Sequence, residues 1–368
     1  MTRGIVAYRT DFPFRVLTFL TKRRPLATAV LYFVVSWGGL YLIIFGSAGF
    51  VNIWRTPRHL FIVDNINLGL LAPFGIALLC HLYATIESSF AYLGRGHVIP
   101  AGQLNAYEQL CGRLERAYNN RYVTLTAIVL AIGFSVYNYF LKRGCWLGVG
   151  GGLAAIYARI WITLNFYFIL LILYKCMVTV WGIRKIMGLK IDVQPMHPDK
   201  CGGFRAIGQL ALTIYYFVLI IMVLFALLVI FDPFAREQPL YLVLYLLFYL
   251  LGSWLAYVSI ANVNRHMSSR KKEVLERLNL AFNKRYKRIS EGGNDCPFRM
   301  EFANDIPALY NLYQIVNRMP VWPFDVASIV RYAIIYALPL TFFLLDALTN
   351  PESVVFRVIA LLTNAQTS

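Results

Sequence analysis

The chain has 368 residues, of which 59% are hydrophobic and only 14% charged, and 35 Lys and Arg against 18 Asp and Glu give a net charge of +17. Soluble domains average about 45–50% apolar and ~25% charged residues, so the composition excludes an ordinary water-soluble catalytic domain. Long uninterrupted apolar runs point to membrane-spanning helices rather than a barrel. The basic excess then reads as topology and as contact with anionic lipid headgroups; the chain carries no stacking or helix-turn-helix module that would direct it to nucleic acid.

In chain order, residues 1–25 form a basic tail containing Arg3, Arg9, Arg15, Lys22, Arg23 and Arg24. An apolar run over 26–49 follows. It is long and lacks a small-residue cleavage site, so it is expected as a retained first span rather than a signal peptide. Further spans are expected at 66–87, 122–141, 153–182, 209–231, 239–263 and 325–348, making 26–348 an all-α, seven-helix membrane domain with an outer tail at 349–368. Basic residues alternate between the connecting segments. The tail has six, the first loop two, the second four, the third two, the fourth five, the fifth one, the sixth eleven and the outer tail one. Cytoplasmic loops are enriched in Lys and Arg, so the N-terminus is expected in the cytoplasm and the C-terminus outside, in the cell inner (plasma) membrane.

The three expected cytoplasmic loops, 88–121, 183–208 and 264–324, differ in character. The first carries Leu104, Tyr107, Leu110, Cys111, Leu114 and Tyr118 at helical spacing. The third continues span six as a helix with Leu275, Leu278, Phe282 and Ile289 among basic residues, is expected to stop at Gly292-Gly293, and restarts near Asp305 with Ile306, Leu309, Tyr313 and Val316 on one face. These two helices predict a cytoplasmic hairpin. Met319-Pro320-Val321-Trp322-Pro323-Phe324-Asp325 then forms an elbow into span seven: Pro320 and Pro323 prevent a helix, Trp322 suits the headgroup level, and Asp325 caps the span.

Loop 183–208 contains the chemically densest stretch, His197-Pro198-Asp199-Lys200-Cys201-Gly202-Gly203-Phe204-Arg205. His-Pro-Asp-Lys matches the tip of a J-domain, but an apolar span follows where that module needs a polar helix. As an enzyme site, Cys201 beside Lys200 would be the nucleophile and His197 the base. As a ligand site, Gly202 and Gly203 would turn backbone N–H groups toward an anion held by Lys200 and Arg205, or His197 and Asp199 would share a divalent cation with another loop. As a turn, the stretch would pack beneath span five and act as a gating contact. The six cysteines form no CxxC pair, and no zinc frame, catalytic set or cofactor is indicated.

The His-Pro-Asp-x-x-Gly-Gly stretch at 197–203, read with Val321-Trp322-Pro323-Phe324-Asp325, resembles a group of uncharacterised prokaryotic multi-pass membrane proteins. The resemblance covers the second half of the chain. It implies a bacterial membrane setting and no activity.

Polar groups inside spans are functional candidates: His81, Arg159, Asn165, Lys175 and Arg331, with Glu87 and Asp346 nearer the ends. At about 100° per residue, Asn165 and Lys175 share one broad face of span four and Arg159 lies opposite. No carboxylate is expected deep in the spans, which speaks against a cation-coupled transporter. The expectation is therefore a homo-oligomeric channel or channel-like permeation protein gated from the cytoplasmic side by a partner or small ligand. The alternatives are a membrane-embedded enzyme acting on lipid or a small anion, and a sensor or scaffold recruiting a cytoplasmic partner.

Overall fold

The computed structural model describes residues 9–21, 24–48, 72–95, 98–141, 151–189, 201–231, 239–291 and 299–318, together with Ala337 and Thr341. All regular structure among them is helical, with no strand. Apart from Ala337 and Thr341, the expected seventh span lies outside the described residues, as do the elbow at 320–325, Arg331, Asp346, the Gly292-Gly293 stop and His197 to Lys200.

Helix α1 (Phe12–Thr21) follows Asp11 and carries Pro13 in its first turn, where a missing N–H costs nothing. The basic tail is thus structured in part: α1 buries Phe14 and Thr18. Arg24 is extended, and α2 (Pro25–Phe33) starts on a proline. The chain then widens into a π-helical turn at Val34–Gly38 before α3 (Gly39–Ala48). A π turn disrupts the regular i to i−4 ladder; here the Val35 carbonyl accepts from the Tyr157 hydroxyl.

Helix α4 (Ala72–Arg95) runs two turns past the expected end at 87, because Ser88 to Leu93 contain no breaker and Ser89, Phe90 and Leu93 are buried. A 3-10 turn leads into α5 (Leu104–Tyr118), which buries Tyr107, Leu110, Leu114 and Tyr118 on the face read from the sequence. Helices α6 (Arg121–Leu141), α7 (Gly151–Met187), α8 (Arg205–Phe231) and α9 (Pro239–Glu291) follow. The last, α10 (Arg299–Arg318), contains Asp305 and Pro307 in its interior. Asp-x-Pro mimics a helix start, but residues 299–304 hold no Gly or Pro and carry the helix upstream of it.

Among the described residues, four segments are long and apolar enough to cross a membrane: Pro25–Ile43, Ala72–Gly94, Ala101–Tyr137 and Arg159–Met187. Helix α7 is the hub, packing against α3, α4, α5, α6, α8 and α9, while α4 lies against α2 and α8. Leu79, Leu82 and Ile86 of α4 meet Leu171, Cys176 and Ile183 of α7 and Ile207, Leu210 and Ile214 of α8 in one core. Helices α8 and α9 approach closely at Gly252, where an added Cβ would stand 2.4 Å from a Val218 methyl.

Several chain connections meet at one end of this bundle. The Arg9 amide donates to Asn119 Oδ1 at 2.6 Å. The Tyr107 hydroxyl donates to the Phe90 carbonyl at 2.5 Å, and Ser89 Oγ to the Ala206 carbonyl at 3.0 Å. The ring centroids of Phe204 and His266 lie 6.1 Å apart. The start of α1, the α4–α6 connection, the α7–α8 turn and the middle of α9 therefore share that end. From there α9 and α10 run together as a pair, tied where Lys271 Nζ donates to the Asn317 carbonyl at 2.7 Å.

Candidate functional site

At this end the structure builds a cluster of charge inside the protein. Asp11 stands just before α1, a position from which a carboxylate often caps its own helix. Its Oδ2 turns inward instead, accepting from the Tyr83 hydroxyl of α4 and lying 3.4 Å from Nζ of Lys175 on α7. Both charged residues are 0% exposed. Lys175 Nζ also donates to the Tyr118 carbonyl. It sits 5.7 Å from the Tyr83 ring centroid and 6.0 Å from that of Tyr118, so two aromatic faces add cation–π attraction to the ion pair.

The surrounding groups fix Lys175 in place. Thr179 Oγ1 bonds the Lys175 carbonyl at 2.7 Å and meets the Tyr118 hydroxyl at 2.7 Å. The Tyr174 hydroxyl donates to the Ala117 carbonyl at 2.8 Å, docking the end of α5 on α7. Asp11 Oδ1, Thr10 Oγ1 and the Tyr167 hydroxyl are buried without a hydrogen-bond partner among the described residues. Burial raises the Asp11 carboxyl above the ordinary carboxylate range; the Lys175 charge and the bonds from Tyr83 and Lys175 oppose that rise. Chemically, the cluster can hold a charge pair out of water and exchange a proton as a unit. Mechanically, it fastens the N-terminal helix to α4, α5 and α7 at one point.

The sequence-derived candidates fall in separate places. Asn165 Oδ1 accepts from the Tyr32 hydroxyl of α2, while Arg159 Nη1 donates to the Ser135 carbonyl of α6 at 3.2 Å. These two residues therefore serve different faces of α7. His81 is exposed on α4, with Nε2 3.4 Å from Thr85 Oγ1. In the 197–205 loop, the described part is a packed turn. The Phe204 amide bonds the Cys201 carbonyl at 3.2 Å, and Gly202 and Gly203 have φ of 66° and 95°. A Cβ on Gly203 would come within 2.7 Å of Val98. Phe204 is fully buried, Cys201 is half-buried, and Arg205 is exposed at the start of α8. Among the described residues, no three His, Cys, Asp or Glu side chains come together to hold a metal ion.

Asp11, which precedes the first expected span, is absent from the sequence-derived candidates. The signal was present: Asp11 is the only acidic residue before Asp64, and Asp-Phe-Pro-Phe is a helix start. The pairing with a lysine 164 positions away had no local signature.

No family model matches the chain, and neither the curated proteins nor the solved structures contain a match to it.

Proposed function

We propose that the protein is a seven-span membrane protein with a cytoplasmic N-terminus and an external C-terminus. It acts as an oligomeric, channel-like permeation protein gated from the cytoplasmic side by the α9–α10 pair. The observation that carries this reading is helix α9, 53 residues without a break. At ~1.5 Å per residue it is about 80 Å long, against a hydrocarbon core of ~30 Å. Its apolar first half suits a bilayer and its basic second half suits water. A single rigid element therefore spans both, and α10 returns along it to the Lys271–Asn317 contact. The chain leaves α10 there and heads into the expected elbow and last span, so displacement of the pair in water is delivered to a membrane helix.

The test is chloride and potassium flux in proteoliposomes holding the purified protein, compared with a variant lacking 268–318. Flux of one ion that the deletion raises or lowers supports the reading. Absence of flux for both ions from correctly inserted, folded protein overturns permeation and favours the scaffold reading, in which the basic pair recruits a partner.

A further inference from the structure

Helix α1 buries one face in the protein and exposes an apolar stripe on the other. Asp11, Phe14 and Thr18 face the protein and are buried. On the opposite side, Phe12 is 72% exposed, Val16 45%, Phe19 85% and Leu20 64%. At about 100° per residue, these four positions form one stripe roughly 100° wide. Leu26 and Val30 of the adjoining α2 are likewise exposed and continue the apolar surface. Arg9, Arg15 and Arg24 are exposed around the stripe, and Lys22 and Arg23 follow α1 directly in sequence.

We infer that α1 is an interfacial helix: its outer stripe lies in the acyl boundary of the cytoplasmic leaflet, and the arginines around it bind anionic phospholipid headgroups. An amphipathic helix with apolar and aromatic residues on one face and basic residues beside them is built for this boundary, and arginine stems reach headgroups by snorkelling. Charge decides against a second copy of the chain as the cover. Two such surfaces would bring like charges together, and the local carboxylate that could offset them, Asp11, is turned inward onto Lys175. The consequence is a direct link between leaflet and bundle. Lipid holds one side of α1, and the Asp11–Lys175 contact holds the other. The inference rests on the membrane placement of the chain and not on permeation.

The experiment places the photocrosslinker benzoyl-phenylalanine at Phe19, or at the exposed Tyr286 of α9 as a control, in full-length protein in nanodiscs of phosphatidylcholine with phosphatidylglycerol. Intact-mass analysis after irradiation is expected to show a phospholipid adduct at Phe19 and none at Tyr286. The phosphatidylglycerol share of the adducts should exceed its share of the bilayer, and Arg15→Gln should reduce that preference about fivefold, the effect of one basic side chain at an anionic surface. A crosslink to a second chain, or no adduct above the Tyr286 level, overturns the inference. So does an adduct composition equal to the bilayer's that Arg15→Gln leaves unchanged. Flux measured on the same preparations separates these failures from failure of the permeation reading.

Discussion

Replacing Asp11 with Ala removes the carboxylate from a fully buried ammonium and takes an acceptor from the Tyr83 hydroxyl. Breaking one side of a buried ion pair costs about 3–5 kcal/mol, whereas replacing both partners with apolar groups is often neutral. Asp11→Ala should therefore lower thermal stability sharply in detergent or nanodiscs, and Asp11→Leu combined with Lys175→Met should recover most of the loss. A double variant as unstable as the single one would show that the cluster's worth lies in the other contacts of Lys175. This is also the scale at which sequence reading failed. Lys175 was legible as an anomaly because a lysine in an apolar helix needs an explanation. Its partner was not, because a tertiary contact between a tail and the fourth expected span has no periodicity to betray it.

At the scale of elements, the helical patterns were largely legible because burial imposes a period on them. The Tyr107, Leu110, Leu114 and Tyr118 stripe of α5 became the buried face, and the continuation of α9 past the apolar run followed from unbroken helix formers. Helix ends were less legible: α4 overran its apolar segment, and α10 begins at Arg299, upstream of the expected cap at Asp305. The close crossing of α8 and α9 gives a direct test of packing. Gly252→Val sets side-chain atoms into Val218 and should cost about 1–3 kcal/mol, the usual penalty of overpacking, read as a lower midpoint of thermal unfolding. A second test concerns the turn before α8. His266 lies against Phe204, and burial, followed by the Arg270 charge, lowers its pKa below the ordinary histidine value. The folded state then prefers neutral imidazole. Stability is full above the unfolded-state pKa and is lost as pH falls through it toward the folded one. Acidification from pH 7.5 to 5.5 should lower the unfolding midpoint of the native protein, and His266→Phe should remove part of that slope. An identical slope in the variant would clear His266.

At the scale of the whole molecule, the gathering of α1, α5, the α7–α8 turn and the middle of α9 at one end constrains topology independently of charge counting. Contacts such as Arg9–Asn119 and Ser89–Ala206 require those segments to lie on one side of any bilayer the bundle crosses. The lysine and arginine counts choose the same four segments for the cytoplasm, by a rule that uses no tertiary contact. Glu108 on α5 and Tyr286 on α9 are exposed and belong to two of these segments. With the six native cysteines replaced by serine, Glu108→Cys and Tyr286→Cys should both react with a membrane-impermeant maleimide in inverted vesicles and both resist it in right-side-out ones. Reaction of the two from opposite sides would break the shared-end architecture itself. Reaction of both only from outside would keep that architecture but reverse the orientation, and it would move the α9–α10 pair, with any gating it performs, to the opposite face of the membrane.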